Sequence, residues 1–145
     1  MKNIIVPVVS LLLATTAVVG NEKKNAPESS KLKVVQEFVA AFNSHDVDGM
    51  MKLVSEDVEW LNIKGNEVDL QTVGRSATRA AMKGYFASTP TVKSLIVRSM
   101  VAGSFVSIQE RVSWKQGSRD ASQASLAVYH IQKGLIDRVW YYPAE

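Results

Sequence analysis

The 145-residue chain contains no cysteine, and that one absence removes several chemistries together. No disulfide, thiol nucleophile, Cys-type zinc site or lipidated cysteine can exist. Histidine is nearly missing as well. His45 and His130 are the only two, and neither stands at metal-ligand spacing from a carboxylate cluster. His45 sits in the helix-breaking turn Asn43-Ser-His-Asp46, and His130 belongs to a strand. No Gly-rich phosphate loop follows a strand, and no Ser-His-Asp order carries the elbow residues of a hydrolase. The expectation is therefore no metal and no cofactor. Charge of one sign is not concentrated either. Seventeen basic and fourteen acidic side chains give a net +3, but they are scattered, with no Lys/Arg run that would track phosphates. Nucleic acid is not an expected partner.

Long apolar runs are also scarce, and the chief one is N-terminal. Lys2 precedes the apolar stretch 4–13, and small residues follow at Thr15-Thr-Ala17 and Val18-Val-Gly20. This is the order of a secretory signal peptide, expected at residues 1–20. The stretch is broken by Pro7 and ends by Gly20, short for a membrane span of roughly twenty residues. Without Lys2 the balance is sixteen basic against fourteen acidic residues. An exported protein, periplasmic or secreted, with no membrane association after cleavage, is the expectation.

Residues 21–31 are polar, with Pro27 and paired serines, and read as a flexible linker ahead of one domain at 32–145. From Leu32 the spacing is helical, with Leu32, Val35, Val39 and Phe42 on one stripe. Asp48 is placed to cap a second, short helix holding Met50, Met51, Leu53 and Val54. Residues 58–63 alternate like a strand. Residues 64–73 read as a polar connection, and Gly74-Arg-Ser76 opens a third helix that Pro90 ends. The rest reads as antiparallel strands at 94–101, 105–114, 123–131 and 136–142, joined by Gly-containing turns. Helices first and meander strands afterwards predict an α+β fold with the helices on one sheet face. The other face carries more apolar surface than a solvated sheet needs, which predicts a homodimer through the sheet.

Several residues stand out as site candidates. Arg111, with Gln109 and Ser113 on its strand face, meets a carboxylate or an oxyanion if that face lines a pocket, and otherwise extends from a sheet edge or pairs with Glu110 or Asp137. Trp60 and Asn62 share a face of the first strand, Trp60 as a wall and Asn62 as an orienting amide. Tyr129, Tyr141 and Tyr142 cluster near the C-terminus, where a hydroxyl in an apolar pocket is a usable donor.

The stretch Val34-Val-Gln-Glu-Phe-Val-Ala-Ala-Phe-Asn-Ser-His-Asp-Val-Asp48 resembles the opening helix and turn of SnoaL-like (NTF2-like) proteins. Asp57-Val-Glu-Trp60, Gly74-Arg-Ser76 and the ending Gly134-Leu-Ile-Asp-Arg-Val-Trp-Tyr-Tyr142 fit the same superfamily. The resemblance implies an NTF2-like (cystatin-like) cone: N-terminal helices packed on a curved antiparallel sheet around a deep apolar pocket. Within the superfamily, Glu110-Arg111-Val112-Ser113 and Trp60-Leu-Asn62 are nearest in feel to limonene-epoxide hydrolases. By that likeness Arg111 and Asn62 keep the family identity, Trp60 replaces a tyrosine, and the two catalytic aspartates fall at Ser113 and Tyr141. Neither is a carboxylate, so an Asp-Arg-Asp relay has no proton acceptor. The general base of ketosteroid isomerases would fall near Asn62, and an amide cannot abstract a proton. Glu59, Glu110 and Asp69 remain as carboxylates. Strand parity puts Glu59 and Glu110 opposite Asn62 and Arg111, while Asp69 lies in a segment read as a loop able to fold over the pocket mouth.

The ligand-binding set expected from the sequence is Trp60, Asn62, Arg111, Ser113 and Tyr141. The first functional expectation is an exported dimer that binds a small apolar molecule bearing an acceptor or anionic group. The second is an epoxide hydrolase, isomerase or polyketide cyclase acting on a small hydrophobic substrate. A protein-interaction module is the third.

Overall fold

The computed structural model of the chain describes residues 26–143. The expected leader and the first part of the linker lie outside them. Among the described residues, three helices precede or interrupt a six-stranded sheet. Helix α1 spans Ala26–Asn43 and α2 Val47–Lys52, followed by strands β1 (Val54–Lys64) and β2 (Glu67–Val73). Helix α3 (Arg75–Ser88) leads into β3 (Lys93–Ala102), β4 (Phe105–Gln116), β5 (Arg119–Gln132) and β6 (Leu135–Pro143). The strand order is β2-β1-β6-β5-β4-β3, with β1 parallel to β6 and every other pair antiparallel. This is the expected α+β arrangement.

Helix α1 places Val35, Phe38 and Val39 on one stripe against the sheet, the i, i+3, i+4 spacing of a buried helix face. It starts at Ala26, so the part of the expected linker from 26 to 31 is helical. His45 ends it with a left-handed backbone (φ 56°), a conformation in which histidine is enriched. The cap of α2 is Asp46, whose Oδ1 accepts from the Gly49 N–H at 2.8 Å; Asp48, the expected cap, lies inside the helix and pairs with Arg79. A capping carboxylate must precede the first helical residue, and that residue is Val47.

The larger difference is β2. The segment expected as a polar connection is an edge strand, turning at Gly65 (φ 57°) and pairing Asn62 with Asp69 and Leu61 with Leu70. Its alternation, Glu67-Val-Asp-Leu-Gln71, is short and lies beside the Gly65-Asn66 turn, and its charged residues are those of an unpaired edge that faces solvent. The last hairpin turns on Lys133 (φ 52°) and Gly134 (φ 79°), both positive, the geometry that matches strand twist.

Curvature has identifiable sources. Register shifts fall at Trp60/Leu61, Ile96/Arg98 and His130/Ile131, and each extra residue bends its strand. The sheet curls around the helices, and its inner residues Val54, Val58, Val106, Ile108, Ala127, Ile136 and Val139 are nearly or fully inaccessible.

Two positions hold the helices to the sheet. The amide of Asn43 donates to the Ser94 carbonyl at 2.8 Å and accepts from the Ser94 N–H at 2.7 Å. Gly74 (φ 89°, ψ 151°) donates to the Val58 carbonyl at 2.7 Å, and Arg75 reaches back to the Val54 carbonyl. A Cβ at Gly74 would meet only the Glu56 carbonyl oxygen, at an ordinary contact distance of 3.5 Å, so conformation restricts the position. Gly74→Ala is expected to destabilise by about 1–3 kcal/mol, and Asp46→Ala by about 1 kcal/mol. Urea unfolding of both variants measures these costs.

Candidate functional site

Strand alternation fixes which side chains can share a cavity. Across the sheet, Glu110 of β4 pairs with Ser125 of β5, and Ile108 with Ala127. Ala127 in turn pairs with Tyr141 of β6, and Tyr141 with Asn62 of β1. A parallel row runs from Tyr129 through Val139 and Trp60 to Thr72. Directly paired residues point to one side of a sheet, so these rows form its inner face.

Between that face and the helices lies a cavity of about 340 Å³. Its apolar wall is largely aromatic: Phe38 and Phe42 from α1, Tyr85 from α3, and Trp60, Tyr129 and Tyr141 from the sheet. The rings are in contact, with Trp60 6.3 Å from Phe38 and 6.4 Å from Tyr141 between centroids. Asn62, Gln71, Thr72, Thr78 and Ser94 supply neutral polar atoms, and Glu110 supplies a carboxyl. Among the described lining residues there is no lysine, arginine or histidine.

Glu110 is 6% exposed. The Ser94 hydroxyl donates to its Oε2, and the Ser125 hydroxyl to its Oε1 at 3.1 Å. Burial pushes the carboxyl above its usual range, against the pull of the two serine hydrogen bonds. Its charge is felt by the cavity's phenols. Burial, reinforced by Glu110, raises Tyr85 and pushes Tyr129 well above the ordinary tyrosine value. Tyr141 is raised by burial, with a hydrogen bond to Ser125 acting in the opposite direction and Glu110 adding to the rise. All three hydroxyls therefore stay protonated at neutral pH and available as donors.

Of the five residues expected to line the site, Trp60, Asn62 and Tyr141 meet in the cavity. Arg111 and Ser113 do not. Both are exposed on the outer face of β4, Arg111 opposite Leu95 and Ala124. The expectation of an arginine holding an anion in the pocket is overturned by strand parity, because the inward positions of β4 are Val106, Ile108, Glu110 and Val112. Glu110, set aside because it opposes Arg111, is the carboxyl inside. Glu59 lies outward and pairs with Arg138 at 2.5 Å, and Asp69 is exposed on β2, where it accepts from Gln71. Tyr142 is outward, beside Leu126. His45 stacks on Phe86 at 4.2 Å and donates from Nε2 to the Val92 carbonyl, while His130 pairs with Asp137 at 2.6 Å.

Sequence reasoning missed Ser94, Ser125 and Tyr85 as site residues. A signal for the two serines was present: each interrupts an apolar inward row and each is buried.

Among known structures, the fold matches Bal32a from a soil-derived mobile gene cassette (19% identity, 81% of this chain and 92% of that one, TM-score 0.71). It also matches an NTF2-like protein of unknown function from Burkholderia pseudomallei K96243 (14% identity, 79% and 91% covered, TM-score 0.68). A third match is a proposed SnoaL-like polyketide cyclase from Jannaschia sp. CCS1 (12% identity, 80% and 86% covered, TM-score 0.69). At these identities the likeness is one of fold. No functionally curated protein matches the chain. The model of the SnoaL-like domain matches residues 35–139, from the first buried valine of α1 to the inward valine of β6, and the chain belongs to the SnoaL-like family.

Proposed function

We infer that this is an exported SnoaL-like protein whose cavity binds a small, mostly apolar molecule with its polar group against Glu110. The observation that carries the reading is a buried carboxyl set in an aromatic cavity of about 340 Å³. That volume is near the lower end for small-molecule sites, and a few polar groups in an apolar wall are what fix a ligand's orientation. The N-terminal order of Lys2, an apolar run and small residues supports export. No helix among the described residues is long and apolar enough to cross a membrane.

A second reading, catalysis of the hydrolase, isomerase or cyclase type, is favoured by one specific feature. The carboxyl missing at the positions of the family's bases is present at Glu110, and its raised proton affinity suits a general base near neutral pH. In that reading Glu110 takes a proton from the substrate or a water, and a tyrosine hydroxyl donates to the oxygen that gains charge.

The outer sheet face supports a homodimer. Leu95, Met100, Phe105 and Leu126 are each more than 40% exposed there, and Leu126 lies between Gln109 and Tyr142. Leu126→Lys is expected to convert a dimer to a monomer in light scattering, and a wild-type monomer would sink the proposal.

Native mass spectrometry of protein recovered from an exporting host tests the binding reading. A stoichiometric small molecule that is lost in Glu110→Gln is expected; an adduct unaffected by Glu110→Gln, Asn62→Ala and Tyr141→Phe places the ligand elsewhere. Turnover on a panel of epoxides and enones, abolished in Glu110→Gln, would select the enzyme reading. The carboxyl also predicts a pH dependence. Because folding raises the Glu110 pKa above 4.5, protonation favours the folded state. That contribution is complete below about pH 4.5 and is lost as pH rises through the raised value. Glu110→Gln is therefore expected to gain stability relative to wild type as pH rises from about 4.5 through the raised value, measured by urea unfolding at pH values on either side.

A further inference from the structure

We propose that the cavity selects an apolar amine, whose ammonium group pairs with Glu110 inside the aromatic box. The inference rests on the cavity being a ligand site and specifies the charge that the ligand carries.

The argument begins with an imbalance. Glu110 is nearly inaccessible, and no basic residue lines the cavity among the described residues. A buried carboxylate without a counter-charge is costly, so the group either holds its proton or is paired by something that enters the cavity. Ser94 donates to one carboxyl oxygen and Ser125 to the other, and these two hydrogen bonds support the ionised form against the pull of burial. An ammonium entering the cavity adds the counter-charge that the described lining residues do not supply.

The walls suit a cation as well. Trp60, Tyr141, Phe42 and Tyr85 present π-systems around the same space, and an ammonium over such faces is attracted by the ring quadrupole, most strongly when desolvated. An ammonium offers three donors, and the cavity offers acceptors at Glu110 and at the Asn62 amide oxygen. An anionic ligand finds the reverse: a like charge and no cation to meet it. A neutral alcohol or ketone gains the apolar contact but leaves the carboxylate unpaired.

The full chain is titrated with three probes of one shape, phenethylamine, phenethyl alcohol and 3-phenylpropionate, followed by calorimetry. The amine is expected to bind at least about tenfold tighter than the alcohol, with the carboxylate weakest. Amine affinity is expected to rise with pH above about 4.5 as Glu110 ionises, while the amine, titrating near pH 10, stays charged. Glu110→Gln removes the preference for the amine and retains alcohol binding. Trp60→Leu, which keeps an apolar wall, weakens the amine more than the alcohol. Alcohol binding as tight as the amine, or amine binding that does not change with pH, overturns the inference while the binding pocket stands. Failure of all three probes to bind the folded protein overturns both.

Discussion

The pleat of β4 is the constraint on which both the core and the site depend. A strand sends successive side chains to opposite faces, so one choice of register decides every residue at once. Here it sends Val106, Ile108 and Val112 inward to form the floor of the hydrophobic core. The same choice sends Glu110 inward with them. The carboxyl is thus held in an apolar wall by three neighbours that could not be turned outward without exposing the core. Its polarity is met locally, by Ser94 from the strand on one side and Ser125 from the strand on the other. Cross-strand pairing supplies a partner at each flank, which is how a buried polar group is retained without being orphaned.

Most of the fold was legible because its signals are periodic. The helical stripe of Val35, Val39 and Phe42, the glycine turns and the alternation after Pro90 each repeat over many residues, and repetition overrides local exceptions. What was not legible lacked that redundancy. β2 is an edge strand exposed along nearly its whole length, and the short alternation Glu67-Val-Asp-Leu-Gln71 passes for a polar connection until Asn62 is seen opposite Asp69. The site was half legible. Trp60, Asn62 and Tyr141 were identified because aromatic and amide groups on strands stand out. Arg111 and Ser113 were chosen through a likeness to a related strand, and that likeness is offset by one residue from the face that meets the helices. A more physical reading takes the more apolar face of β4 as the inner one and then asks which residue breaks it. That residue is Glu110.

The exchange of Arg111 for Glu110 reverses the sign of the site. With an arginine inside, the cavity would favour carboxylates and oxyanions. With a glutamate inside and neutral groups around it, the cavity repels them. Length, composition and net charge are blind to this difference, because the protein carries both residues and is nearly balanced overall. Only their separation onto two faces of one strand gives the interior a charge. The pair also explains why the two faces have different fates. Outside, Arg111 lies in solvent beside Leu95, whereas inside the carboxyl alters the proton affinity of three phenols around it.

The site is also tied to the helix layer through Asn43, the last residue of α1, which satisfies both backbone groups of Ser94. Ser94 then uses its side chain on Glu110. The backbone of β3 at this point is therefore positioned by the helix and not only by its pairing with β4, where Ser94 lies opposite Val112. A shift of α1 along the sheet would move the hydroxyl away from the carboxyl and leave Glu110 with one donor. The same helix carries Phe38 and Phe42 into the aromatic wall, so ring positions and the carboxyl's hydrogen bonding are set by one element. Proton affinity at Glu110 depends on both burial and these hydrogen bonds, and α1 controls part of each. The cavity and the helix that closes it are one mechanical unit, in which packing sets the chemistry of the carboxyl.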